Sequence, residues 1–238
     1  MRNTIIVSIL LFIAVVVASV FYFGDLNKEE KKSVKPINYL PSDTYLITSF
    51  VNDATTDNIF KDFEIFEAVL GHSFQDQLSQ LKQQLLSNKD IASYLTDQEM
   101  FVSFHPEKEG IATLFSIPTT EKIDKETISE ILPKLGTDYQ VQQQDTLGVR
   151  LYSYKLAKSD STFYVSYLDD IFFATFSKEL LLKTLDKKAA KFDDKQVEFF
   201  NKNNSRNAPF TVYLAHQNLP AIVDKFRRNK PGDFIRQF

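Results

Sequence analysis

The sequence predicts an α+β fold behind a membrane anchor: an N-terminal transmembrane helix, then a largely antiparallel sheet with helices mainly on one face. Three observations lead there. Ile5 to Phe23 is a predominantly apolar run without a charge. The β-branched and aromatic runs near 99–117 and 138–176 follow one another with no long helix between them, which suits antiparallel connection. Flanking stretches instead space their apolar residues by three and four, the period of an amphipathic helix. Residues 1–24 are accordingly read as the anchor, 25–39 as a charged tether and 40–238 as the α+β domain.

Ile5 to Phe23 contains only two serines among its apolar residues. At about 1.5 Å per residue it approaches the roughly 30 Å hydrocarbon core. Phe21, Tyr22 and Phe23 close it, and Tyr22 suits the interfacial aromatic belt. A cleavable secretory signal would have a shorter apolar region, about 7–15 residues, and a better small-x-small site than Ala18-Ser19 offers. The expectation is an uncleaved, single-pass signal anchor. Orientation draws on opposed signals. Lys28, Lys31, Lys32 and Lys35 follow the helix whereas Arg2 alone precedes it, which by the positive-inside rule retains the domain in the cytoplasm. The very short N-terminal tail and signal-like start favour an extracytoplasmic (periplasmic) domain, and that is the expectation taken forward.

Along the domain, Thr44 to Val51 reads as a strand ended by Asn52-Asp53. Thr56 or Asp57 can cap a helix whose Ile59, Phe60, Phe63, Phe66, Val69 and Leu70 share one face, with Gly71 placed to stop it. A second helix spans about Phe74 to Leu86. Strands Glu99 to His105 and Gly110 to Ile117 flank a hairpin loop that starts at Pro106. Asp124 opens a short helix disturbed by Pro133. Strand-like runs then occupy 138–144, 148–156, 162–168 and 170–177, with turns at Asp145 to Gly148 and at Asp169-Asp170. Ser177 caps a helix carrying Leu180, Leu181 and Leu185, and a further helix covers Asp193 to Asn201. After a polar loop containing the sequon Asn203-Asn204-Ser205, a strand runs from Phe210 to Ala215 and a helix from Asn218 to Arg228. This closing strand, polar break and helix echo Tyr45 to Phe63. The strand either closes the same sheet or begins a second unit from about residue 209.

Composition excludes several functions. The formal charge is −3 and well mixed, so no basic footprint for nucleic acid exists. With no cysteine, disulfides, thiolate catalysis and cysteine-ligated zinc are ruled out. The six glycines stand alone, so no phosphate-cradling loop forms. His72, His105 and His216 fall in different elements without metal-ligand spacing. No Gly-x-Ser-x-Gly elbow or Walker loop occurs, and the lysines near Ser33 and Ser87 lie at other spacings than a Ser-x-x-Lys nucleophile needs. Asp169-Asp170 and Asp193-Asp194 are the paired carboxylates that acid/base work or a divalent ion would use, but turn and helix-start chemistry already accounts for both. Lys225, Arg227, Arg228 and Lys230 form a small basic cluster on the final helix, read as a solvated face, with a contact to anionic partners as the alternative. No catalytic, cofactor or metal residue is assigned.

Leu40-Pro-Ser-Asp-Thr-Tyr-Leu-Ile-Thr-Ser-Phe50, Gly148-Val-Arg-Leu-Tyr152, Tyr164 through Leu185, and Thr211 through Pro220 carry a pattern resemblance. A strand follows Leu-Pro, a strand starts Gly-x-x-Leu-Tyr, and an Asp-containing turn precedes an apolar strand that runs into a Ser-capped helix. In these features the chain resembles uncharacterised bacterial membrane-anchored proteins with an extracytoplasmic α+β domain of unknown function. The resemblance implies a fold and a topology but transfers no catalytic residue. The expected function is therefore a membrane-tethered interaction or scaffold domain, with the bilayer met through Ile5 to Phe23 and a protein as partner. The alternative is a binding protein for an apolar or lipid-like ligand, suggested by the aromatic load of Ile171-Phe-Phe-Ala-Thr-Phe176. An envelope hydrolase is the third reading.

Overall fold

A computed structural model describes residues 35–51, 88–95, 98–108, 110–135, 139–156, 161–204 and 210–218, with positions 77, 79, 81, 85 and 220. The expected anchor Ile5 to Phe23, the expected helix from Thr56 to Leu70, His72 and the basic cluster at 225–230 lie outside the described residues. So does most of the helix expected from Phe74 and of the one expected from Asn218. No helix among the described residues is long and apolar enough to cross a membrane.

The described residues form one eight-stranded sheet, antiparallel throughout, in the order β4-β5-β6-β7-β3-β2-β1-β8. Its strands are β1 (Leu46–Val51), β2 (Glu99–Glu107), β3 (Gly110–Pro118), β4 (Tyr139–Thr146), β5 (Val149–Leu156), β6 (Thr162–Leu168), β7 (Ile171–Thr175) and β8 (Phe210–Leu214). Each lies where the sequence places a strand, within a few residues at either end. Among the described residues the α-helices of four residues or more are α1 (Lys89–Leu95), α2 (Lys125–Ile131), α3 (Lys178–Leu185) and α4 (Asp194–Asn203). The predicted caps are in place. Asp124, Ser177 and Asp193 each accept a backbone N–H of the following first turn, and Asp193 completes a capping box with Gln196. Such a cap contributes about 1 kcal/mol.

The expectation of helices mainly on one face is corrected by the packing. Successive residues of a strand point to opposite faces, and here both faces are covered. Phe50, Met100, Val102, Phe115, Phe172 and Ala174 pack with Ile91 and Leu95 of α1 and Ile128 of α2. Ile47, Phe101, Leu114, Ile171 and Phe173 pack instead with Leu180, Leu181 and Leu185 of α3 and Phe200 of α4. All five residues of β7 are consequently buried. The physical reason is the apolar density of the central strands: a sheet whose successive residues are apolar, and so apolar on both faces, needs a layer on each side.

Two further differences concern the ends of the domain. Lys35–Tyr39, assigned from sequence to the end of the tether, form a 3-10 turn. Ile37 is 2% exposed beneath α3 and α4, so the folded domain begins before residue 40. Phe210–Leu214 pairs antiparallel with β1, from Leu46↔Leu214 to Phe50↔Phe210, and is thereby an edge of the same sheet.

The β4–β5 and β6–β7 connections are two-residue hairpins. Leu147 and Gly148 have φ of 54° and 77°, while Asp169 and Asp170 have 50° and 65°. Positive φ at both loop positions is the turn whose twist matches the flanking strands, and it favours Asn, Asp and Gly. Leu147 is the exception, 52% exposed with nothing gained from its side chain to offset the left-handed backbone. Such a conformation costs a residue with a Cβ about 1–2 kcal/mol. Leu147→Asn is therefore expected to raise stability by about 1 kcal/mol. In urea titration the midpoint should rise with an unchanged slope, and a midpoint that stays or falls would contradict the strain argument.

Candidate functional site

The most chemically varied cluster among the described residues surrounds His105. Ser103 and His105 alternate along β2 with the apolar residues of the other face, so the sheet period points both toward α3. Ser103 and His105 are each 1% exposed, and Thr44, just before β1, is fully buried. Thr44 Oγ1 donates to Pro41 O at 2.6 Å. Its oxygen is then the acceptor for His105 Nδ1–H at 3.3 Å. This tautomer leaves Nε2 as an acceptor, and Ser103 Oγ lies 2.8 Å from it.

A charged rim lies beside this chain of hydroxyl, imidazole and hydroxyl. Lys183 of α3 pairs with Asp43 at 2.5 Å. Lys191 donates to the carbonyls of Lys183 and Thr184, at 2.7 and 2.8 Å, and so satisfies the C-terminal end of α3. Burial is the main cause that lowers the Lys191 ammonium to a pKa of about 8; Asp186 opposes the shift and Lys183 adds to it. Asn218 donates to the carbonyls of Ser42 and Thr44, at 2.9 and 2.7 Å. Ser42 N donates to Ala190 O at 3.0 Å, and Pro41 forms a bridge with Lys191. The residues around His105 thus fasten the segment before β1 to α3 and to the end of β8.

A serine donating to an imidazole is the contact that activates a nucleophile, and here two features deny it that use. The pair is sealed from solvent, and burial, reinforced by Lys183 and Lys191, pushes the imidazole pKa down to about 3. A base so weak does not take a serine proton near neutral pH. The imidazole makes no hydrogen bond to a carboxylate, since its two nitrogens face Thr44 and Ser103. Ser103–His105 is a structural hydrogen bond.

The other candidates are dispersed. His216 sits exposed in the 3-10 turn His216–Asn218. Asp169 accepts from Tyr39 OH and Asp170 from Tyr167 OH, the latter at 3.3 Å, so the turn carboxylates tie the β6–β7 hairpin to its surroundings. Asp193 is the α4 cap and Asp194 lies in the first turn. Among the described residues no group of three or more His, Cys, Asp or Glu could hold a metal ion.

The residue types that sequence reasoning passed over lie at the sheet edges. β4 shows Gln140, Gln142, Gln143, Gln144 and Asp145 to solvent. At the opposite edge, β8 shows Val212, 56% exposed, and Leu214, 47% exposed. Tyr213, on the other face of β8, is covered by the rings of Phe192, Phe199 and Phe200, at centroid distances of 6.3, 6.0 and 5.5 Å. The signal available in the sequence was Phe210-Thr-Val-Tyr-Leu214 itself, apolar at the positions that an edge normally makes polar. No protein-family model, curated protein or solved structure matches this chain.

Proposed function

We propose that this chain is a membrane-tethered domain, held outside the cytoplasm by Ile5 to Phe23, that works through contacts with protein and has no catalytic activity of its own. The observation that carries the contact reading is the apolar β8 edge, set against the polar β4 edge of the same sheet. An apolar side-chain row on an edge that no strand among the described residues covers favours a partner. The anchor rests on the charge-free run of apolar residues and on the resemblance to membrane-anchored bacterial proteins. The apolar-ligand alternative loses its motive, because two-sided burial accounts for the aromatic load of β7. Among the described residues the hydrolase alternative has no reactive pair, since Ser103 and His105 are sealed.

Reporter fusions after Lys35 and after Phe238 test the topology. A reporter that matures only outside the cytoplasm should be active at both positions. Activity confined to a cytoplasm-dependent reporter would mean that the four lysines, not the signal-like start, set orientation. Turnover of an envelope substrate by the purified chain, lost in Ser103→Ala, would overturn the contact reading.

A further inference from the structure

We infer that β8 pairs with β8 of a second copy of this chain, antiparallel about Val212, joining the two sheets edge to edge. The inference rests on the contact reading above and names its partner.

The hydrogen-bond phase of the ladder carries the argument. Ala215 N donates to Tyr45 O at 3.0 Å, in the same register as Ile47↔Tyr213 and Ser49↔Thr211. In an antiparallel ladder hydrogen-bonded pairs alternate with non-bonded ones. Thr211 and Tyr213 therefore spend their backbone groups on β1. Phe210, Val212 and Leu214 turn theirs outward, and among the described residues no strand receives them. Outward groups at 210, 212 and 214 form a pattern that is two-fold symmetric about Val212. A second β8 laid antiparallel on the first places Val212 opposite Val212 and Phe210 opposite Leu214. Every outward N–H then meets an outward C=O, as an isologous two-fold interface requires.

The side chains fit the same occupant. Phe210-Thr-Val-Tyr-Leu214 has no charge, so two copies bring no like charges together. Val212 and Leu214, exposed in one copy, gain apolar neighbours on the same face. β4 lacks these properties: its glutamines and Asp145 are the polar protection that keeps an edge solitary. A five-residue strand covers far less than the roughly 800 Å² per partner of a stable complex. The association is accordingly weak in dilute solution and draws on tethering, which raises the effective concentration of one copy for another.

The chain has no cysteine, so Val212→Cys introduces its only thiol. Opposed residues of a bonded antiparallel pair have Cα atoms about 5.5 Å apart, within the roughly 4.4–6.8 Å span of a disulfide. In the full-length, membrane-embedded protein, Val212→Cys should form disulfide dimers under oxidant at least tenfold faster than Thr146→Cys on the β4 edge. Thr211→Cys, which would face Tyr213 of the second copy, should stay slow. Val212→Pro removes an outward N–H at an edge, where proline is tolerated, and should abolish chemical cross-linking of the otherwise native chain. Equal rates at 212 and 146, or full cross-linking of Val212→Pro, would overturn the inference. Disulfide trapping of a different protein at 212 would also overturn it, while leaving the contact reading in place.

Discussion

Phe173→Ala is expected to destabilise the domain by about 3–5 kcal/mol, the cost of emptying a fully packed aromatic site. Phe173 lies on β7 between Ser116 of β3 and Ser166 of β6, is fully buried, and meets the ring of Tyr39 at 5.3 Å. Its neighbours on the α3 side include Leu180 and Leu181, both in the same buried cluster. Small serines beside it leave no large side chain able to collapse into the space. The measurement is urea unfolding of the domain, and it also discriminates between functions. If the aromatic load lined a ligand pocket, trimming Phe173 would enlarge an existing cavity at a cost near 1 kcal/mol or less, and an apolar additive would stabilise the native chain itself. A loss of several kcal/mol, with no stabilisation of the native chain by the additive, is the result expected of packing.

The second large effect is acid sensitivity that runs through His105. Its folded pKa, about 3, lies below the unperturbed 6.5. Above pH 6.5 both folded and unfolded states hold a neutral imidazole. Between pH 6.5 and 3 the unfolded chain binds a proton that the folded one refuses, so stability falls as pH drops, by about 1.4 kcal/mol per unit. The comparison that isolates it is unfolding free energy against pH for the native chain and His105→Gln. The native slope between pH 4 and 6 should exceed the variant's by close to one proton, whatever the variant's absolute stability. Parallel curves would mean that the site opens or hydrates and protonates like an exposed histidine. Lys191 works at the other end of the scale. With a folded pKa of about 8 it leaves the unfolded chain more protonated up to the ordinary lysine value of 10.5, so stability rises with pH across that window.

The strands were legible because their apolar runs are bounded by residues with turn chemistry. Asp169-Asp170 announced a tight turn, and Asp124, Ser177 and Asp193 announced helix starts through the donors that a first turn leaves unsatisfied. Two-sided burial was legible in principle. Ile171-Phe-Phe-Ala-Thr175 lacks the polar alternation of a half-exposed strand, and such continuity calls for a layer on either side. α1 was missed because Ile91 and Leu95, its buried residues, give one pair at a single spacing and no period to detect.

The His105 cluster divides in the same way. Ser103 and His105, two apart on a strand, share a face by sheet period alone. Thr44 lies 61 residues from His105 in sequence, Lys183 comes from α3, and Lys191 from the segment after it. No local pattern links them. Only the fold brings β1, β2 and α3 to one place, and with them the burial that makes the imidazole a poor base.

The neighbouring positions of β1 and β8 also bear on timing. β1 is the first strand of the described chain and β8 the last, and Leu46 meets Leu214 only after everything between them has been made. At about 5–20 residues per second, that interval is on the order of ten seconds or more. Through it, the side of β1 that will receive β8 stays open at Ile47 and Ser49, whose eventual partners are Tyr213 and Thr211. A nascent chain in that state offers a template for a complementary strand, and the β8 of a finished neighbour has the matching sequence. Crowding several such chains at one site during synthesis therefore favours exchange of the last strand between copies, and a slower passage through residues 52–209 lengthens the exposure.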